Sequence, residues 1–388
     1  MTDELLRYRS EFPILEHTTY LISNSLGAMP RGVYEAMKSY ADTWATRGVR
    51  AWEESWWMLA ADVGDQIGAL TNAPKGSVST HQNVTTCQAV VASCFDFSAK
   101  RNKVVYSDLN FPSVMYFWEA QRACGARVHM VKTDDGVSVP TERLLDAIDE
   151  QTLLVPISHV IFRSAYINDA KAIVEKAHKV GAHVVLDTFQ SLGTVPVDVQ
   201  SLNVDFACGG VLKWLCGGPG VAYLYVRPDL GKKLAPRFTG WMAHENPFGF
   251  EIGPIRYTDP PYRFMNGTPH IPSLEAARPG LNIVAEAGVQ RIREKSKRQT
   301  ARLIELADKH GWRVNTPRDP ERRGGTVSIE MPDSQEVCRE LLKREILVDW
   351  RPRAGLRMSP HFYNTDEELE RGILAVEEIL KERTVAAR

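Results

Sequence analysis

The chain has 388 residues, and 47 Lys+Arg against 48 Asp+Glu leave a formal net charge of −1. That length suggests two to three domains, or one large α/β domain with an appendage. The charge balance gives no electrostatic footprint for DNA or RNA, and 44% hydrophobic with 24% charged residues is ordinary for a globular protein.

The six cysteines (Cys87, Cys94, Cys124, Cys208, Cys216 and Cys338) form no C-x-x-C pair and no zinc-ligand spacing with histidine. Neither a disulfide framework nor a zinc structure is expected. The polar start MTDELLRYRSEF does not read as a signal peptide. No apolar run approaches the roughly 18 residues of a membrane span. A soluble, cytoplasmic protein of enzyme-like size is expected.

In chain order, a short apolar piece at 20–22 runs into a turn ending at Gly27, and helical patterns follow over about 31–70. From about 78 to 230, strand and helix patterns alternate. Strands are expected over 103–107, 126–132, 153–158, 183–186, 206–208 and 221–226, and helices over 113–124, 141–149 and 169–180. Helix 169–180 is amphipathic, with Ala170, Ile173, Val174 and Ala177 on one face and Gly181 as its stop. Short apolar strands between amphipathic helices imply a mostly parallel sheet covered on both faces. A Pro-, Gly- and aromatic-rich stretch over 228–275 is too long for a plain linker. Long helices over 274–310, a strand over 326–330 and helices over 336–343 and 368–382 suggest a smaller α+β unit.

The run Cys216-Gly217-Gly218-Pro219-Gly220 is followed by a strand pattern, where a dinucleotide loop would need a helix. His178 and His183 lack the i, i+4 spacing of a helical metal pair, and no metal site is expected. Trp52, Trp56 and Trp57 read as packing residues, of a core or a subunit interface, or as the lining of an aromatic pocket. Asp187 ends the strand Val184-Val185-Leu186, the end where ligands bind in open α/β sheets. Lys213 is the one charged residue in the stretch 206–222. Desolvation there lowers the amine's pKa and makes it nucleophilic, as a Schiff-base lysine requires. A lysine snorkelling at a strand end would read the same from that residue alone.

A strand-terminal Asp followed by such a Lys resembles the class V branch of fold-type I pyridoxal-phosphate enzymes. Within that branch, four segments resemble the kynureninases: Tyr20-Leu21-x-x-Asn24-Ser25-Leu26-Gly27, Asn110-Phe111-Pro112-Ser113, Gly240-Trp241-x-x-His244 and Tyr363-Asn364. The resemblance implies a large α/β domain with a mostly parallel sheet in an αβα sandwich, over 31–279. A smaller C-terminal α+β domain follows over 280–388, and an N-terminal segment over 1–30 joins it.

It also implies roles. Lys213 would be the Schiff-base and catalytic lysine, and Asp187 the partner of the pyridine nitrogen. Gln190 would contact the phenolic oxygen, and Phe111 would stack on the ring unless it is ordinary core. Val84, Thr85 and Thr86 would hold the phosphate at a helix start. Thr85 matches best and Thr86 is the near alternative, although a plain N-cap would explain either. Trp241, Asn266 and Thr268 would reach the cofactor of a neighbouring subunit, which implies a homodimer with shared sites. Arg357 would grip the substrate α-carboxylate bidentately, with Asn24 beside it. The implied substrate is an amino acid, cleaved hydrolytically at its side chain; transamination, epimerisation and C–S cleavage are the alternatives. Three positions depart from the kynureninase pattern: Leu212 replaces a tyrosine, Val114 an acidic residue and Gln190 a histidine. The loop 350–356 has no cysteine for persulfide chemistry, which speaks against a desulfurase.

Overall fold

The computed structural model describes residues 3–386. Its strands are β1 (Thr19–Tyr20), β2 (Val78–His81), β3 (Lys103–Ser107), β4 (Arg127–Val131), β5 (Thr152–Ser158), β6 (His183–Asp187) and β7 (Phe206–Gly210), then β8 (Ala222–Val226), β9 (Arg313–Val314), β10 (Val327–Glu330), β11 (Ile346–Leu347), β12 (Asp349–Arg351) and β13 (Gly355–Met358). The helices are α1 (Gly32–Arg47), α2 (Trp57–Leu70), α3 (Val84–Ser93), α4 (Pro112–Ala120), α5 (Thr141–Ala147), α6 (Ala170–Lys179), α7 (Pro228–Gly231), α8 (Ile271–Ala287), α9 (Val289–Lys309), α10 (Ser334–Lys343) and α11 (Asp366–Ala386).

Seven strands form one sheet in the order β2-β8-β7-β6-β5-β3-β4. Only β8 runs against the rest, pairing antiparallel with β2 and β7. Val184, Val185 and Leu186 are fully buried. That is why β6 reads as a continuous apolar run: a strand covered on both faces has no polar side to alternate with. Asp169 caps α6 by accepting the Ala172 N–H at 3.0 Å, and the apolar face read from the sequence is buried.

A second, antiparallel sheet runs β12-β13-β10-β9. It shares a separate apolar cluster with α9, α10 and α11, including Leu303, Val337, Leu341, Leu356 and Val376. The N-terminal segment is stitched to it, since β1 pairs with β11 and Ile22 bridges Ser359.

Local departures from the expected elements have physical reasons. The helical patterns expected over 31–70 form two helices, α1 and α2, joined by a 3-10 turn at Gly48–Arg50 and a π-turn at Trp52–Trp56. Helix α4 ends at Ala120 and tightens into a 3-10 turn closed by Gly125 at φ +99. Helix α1 buries none of its residues and leaves Tyr34, Met37 and Trp44 exposed.

Candidate functional site

The carboxyl ends of β5, β6 and β7 and the loop after β3 enclose a cavity of about 250 Å³. Val84, Thr85, Phe111, Asp187, Gln190 and Lys213 line it. Lys213 Nζ sits 4.3 Å from the Phe189 ring centroid and 5.6 Å from that of Phe111. Burial pushes its pKa down to about 8; Asp187 pulls it up and Arg357 pushes it further down. The amine therefore still carries its proton for the most part at neutral pH, but about a tenth of it is the free base, far more than for an ordinary lysine, and the free base is the nucleophile. It points into the cavity with its charge unsnorkelled.

Asp187 is 6% exposed. Its Oδ1 accepts the Phe189 N–H at 2.9 Å, and its other oxygen has no hydrogen-bond partner among the described residues. Burial raises this carboxyl's pKa, opposed by that N–H and by Lys213. Phe111 is not core: it is 43% exposed on the cavity wall, edge-on to Phe162 with ring centroids 5.2 Å apart. Gln190 donates to the Asn24 carbonyl at 3.0 Å and accepts Trp214 Nε1–H at 3.1 Å, which fixes its amide and leaves one N–H free.

Asn24 is 1% exposed, and both polar atoms of its side chain lack a partner. Such groups are almost always satisfied, so this amide awaits one. Arg357 is held in place by a residue that the sequence reading missed. Asp349 accepts its Nε at 2.7 Å and Nη2 at 2.5 Å, while Phe162 O accepts Nη1 at 2.6 Å. Those bonds use three of the five N–H hydrogens, and two remain for a carboxylate. The signal was a hairpin register: Asp349 lies opposite Arg357 across β12 and β13.

Asn83, not a threonine, caps α3; its side chain accepts Thr86 N–H at 3.0 Å and the Thr86 hydroxyl at 3.2 Å. The Val84 and Thr85 N–H groups and the Thr85 hydroxyl have no partner among the described residues. A first helical turn with free N–H donors suits a phosphate. Thr86 instead lines a second cavity of about 240 Å³ with His81 and Asn266. Trp241 and Thr268 line neither cavity. Thr268 is exposed, and Trp241 packs on Trp57 and Phe248 at 5.4 and 5.7 Å. Within one chain, Trp241, Asn266 and Thr268 are therefore not brought to Lys213. Nor are the tryptophans: Trp56 is buried against Trp52, and Trp57 stacks on Tyr262.

Ser158 lines the cavity. His159 is buried behind it, its N–H bonded to Asp187 O at 2.8 Å; burial drives its pKa down to about 4 and keeps it neutral. His178 and His183 both bind Asp205, at 2.9 and 3.0 Å, away from the cavity. No cysteine lines the cavity, and Cys338 is buried on α10.

These groups fit pyridoxal 5'-phosphate, the cofactor implied by the family resemblance. The free carboxylate oxygen of Asp187 would pair with the ring nitrogen, the Lys213 amine would take the aldehyde, Phe111 would cover one ring face, and the free N–H donors of Val84 and Thr85 would hold the phosphate.

Comparison with known proteins agrees. The profile of the family described as aminotransferase class-V matches residues 19–371. A kynureninase of Bacillus thuringiensis subsp. konkukian is 30% identical over 396 residues, spanning 98% of this chain and 92% of the relative. An uncharacterized aminotransferase of Bacillus subtilis, YcbU, is 32% identical over 367 residues, 95% of this chain and 96% of the relative. Among solved structures, a cysteine desulfurase of Thermococcus onnurineus superposes with a TM-score of 0.87 at 22% identity, covering 98% of this chain and 99% of that one. The cystine C–S lyase C-DES gives 0.84 at 18%, covering 94% and 98%. With the fold-type I architecture and the lysine–aspartate cavity in place, the chain belongs to the class-V aminotransferase family.

Proposed function

We propose that this protein is a pyridoxal-phosphate enzyme that cleaves the side chain of an α-amino acid hydrolytically, in the manner of a kynureninase. The observation that carries the reading is the meeting of Lys213, Asp187 and Phe111 in one cavity at the carboxyl ends of the strands. The choice of reaction is supported by kynureninases at about 30% identity over nearly the whole chain.

When bound, the cofactor supplies an electron sink for a carbanion at the substrate Cα. The chain's own residues do the rest. Arg357, oriented by Asp349, binds the α-carboxylate through its two free N–H hydrogens, and Asn24 meets the same group with its unpaired amide. Lys213 Nζ takes the Cα proton, which its lowered pKa permits. Asp187 holds a proton on the ring nitrogen. Phe111 excludes water from one ring face, and Val84 and Thr85 anchor the phosphate.

Trp241, Asn266 and Thr268 serve the site of a second copy, so the working unit is a homodimer. The exposed apolar residues Trp241, Phe248, Phe250 and Ile252 support this. The same reading divides the chain into a segment over 1–30, a cofactor unit over 31–279 and a smaller unit over 280–388. The separate apolar cluster of the second sheet supports that division.

Amino transfer is the second reading. It is favoured by Leu212 and Val114 on the cavity wall, where kynureninases carry a tyrosine and an acid. Incubation with L-kynurenine tests the choice: fluorescent anthranilate is expected. Transfer of the amino group to an added 2-oxo acid, without anthranilate, would replace hydrolysis by transamination.

A further inference from the structure

Lys213 stands in a turn with no strand or helix to hold it. Three consecutive backbone carbonyls of that turn are fixed instead by hydrogen bonds from three different segments. Gly27 N–H donates to Leu212 O at 2.8 Å, Cys216 N–H closes the turn on Lys213 O at 3.1 Å, and His361 Nε2–H donates to Trp214 O at 2.8 Å. A carbonyl only accepts, so His361 carries its proton on Nε2. The first two bonds are backbone to backbone, and the third depends on a side chain.

Trp214 transmits that bond. It is 1% exposed, and its indole N–H donates to Gln190 Oε1 at 3.1 Å. The His361 ring meets the indole edge-on, with centroids 5.3 Å apart. Backbone crowds it on two sides: a Cβ at Gly193 would stand 2.7 Å from the Trp214 carbonyl oxygen, and one at Gly325 would stand 2.8 Å from the indole ring. The residue next to the lysine therefore fixes two things at once, the turn that carries Lys213 and the amide of Gln190. His361 is itself anchored beside Arg357, four residues later in the chain. Its N–H donates to Asn364 Oδ1 at 2.8 Å, and its carbonyl accepts the Asn364 N–H at 2.9 Å.

His361 is also set apart from ordinary core. It is 2% exposed, and its Nδ1 is buried with no partner among the described residues. Buried polar atoms are nearly always paired, so an apolar residue would pack there at lower cost. What the histidine adds is the Nε2 bond to Trp214. Burial pushes its pKa down to about 3, and the ring stays neutral.

We propose that His361 is a positioning residue for the cofactor site. By holding Trp214 O it sets the Lys213 amine and the free Gln190 N–H against the cofactor. It also ties both to the segment that carries Arg357, so the amine that moves the proton and the guanidinium that binds the carboxylate keep one register. This rests on the proposed function, which places the cofactor on Lys213 with Gln190 at its phenolic oxygen.

The test uses purified holoenzyme and reads the pH midpoint of its visible cofactor band. A hydrogen bond from Gln190 stabilises negative charge on the phenolic oxygen and favours loss of the proton from the lysine–cofactor linkage, so loosening Gln190 raises the midpoint. His361→Phe keeps a ring and loses the donor; its midpoint should rise by about half a unit or more. Uptake of pyridoxal phosphate by the stripped variant should slow several-fold. His361→Gln places an amide N–H where Nε2 stood and should bring both readouts back close to those of the unaltered protein. His361→Asn, whose amide ends at the depth of Nδ1, should behave as His361→Phe does, and it carries the test should that variant not fold. A lowered melting temperature with midpoint and uptake rate unchanged would mark a merely structural residue and overturn the proposal. A His361→Gln variant no closer to the unaltered protein than His361→Phe would overturn it too. If borohydride puts no cofactor label on Lys213 of the unaltered protein, the underlying placement fails and this inference with it; that result needs no His361 variant, so the two failures are distinct.

Discussion

Asp349→Asn probes the part of the site that depends most on an unforeseen contact. Asp349 is 7% exposed and Arg357 3%, and two bonds of 2.7 and 2.5 Å join them. Breaking a buried ion pair by removing one partner costs about 3–5 kcal/mol. Asparagine keeps one acceptor at the same place, so the loss should be about 2–3 kcal/mol. For a chain of this size that corresponds to a drop of about 3 °C in melting temperature. The catalytic signature should be separate from the stability one. A guanidinium no longer fixed on one side presents its remaining N–H pair less well, so KM should rise about tenfold while kcat falls less. Calorimetry and steady-state kinetics on the same preparation measure both. An unchanged melting temperature together with an unchanged KM would show that Asp349 does not position Arg357. A loss confined to kcat would show that Arg357 does not bind the substrate in its ground state.

Other outcomes follow from the same structure. Burial alone would raise the Asp205 carboxyl, but His183, the Val184 N–H and His178 outweigh it and hold the pKa below the usual value. A depressed carboxylate stabilises the fold above its unfolded pKa, and that stability is lost as pH falls below about 4. The melting temperature of Asp205→Asn should therefore be lower at pH 7 and less sensitive to pH between 3 and 5 than that of the unaltered protein. Cofactor uptake by the stripped protein requires the free amine of Lys213, so its rate should rise with pH, reach half its maximum at about pH 8 and level off roughly a unit above that; stopped-flow absorbance would reveal instead a rise continuing past about pH 10 if the lysine were ordinary. Gly27 donates its N–H to Leu212 O at 2.8 Å, and a Cβ there would stand 2.1 Å from the Lys213 carbonyl oxygen. Gly27→Ala should displace the lysine loop and weaken cofactor retention by tenfold or more on dialysis, whereas full retention would mean that the loop yields without moving the amine.

The lysine and aspartate stood out in the sequence because Asp187 closes an apolar strand and Lys213, in the turn after β7, is the one charge in the stretch 206–222. The parallel sheet was legible because strands buried on both faces lose their alternation. What escaped was set by contacts between distant segments. Asp349 meets Arg357 only through hairpin register, and the Gln190 amide is fixed by Asn24 and Trp214 from two other parts of the chain. At α3 the cap is Asn83, which engages Thr86 and leaves the Thr85 hydroxyl unpaired among the described residues. A cap residue and its neighbours carry similar side chains, so spacing alone cannot rank them. The residues expected from a second subunit, Trp241, Asn266 and Thr268, read as local motifs, but their position away from Lys213 is a property of the folded chain.

The account stands on the claim that Lys213 is the residue that holds pyridoxal phosphate. Borohydride reduction of the purified protein, followed by peptide mass spectrometry, tests it most directly. The account predicts loss of the visible band and a reduced phosphopyridoxyl mass on the peptide carrying Lys213, with neither in Lys213→Ala. A label on another lysine, or no label on a protein supplied with excess cofactor, would contradict it.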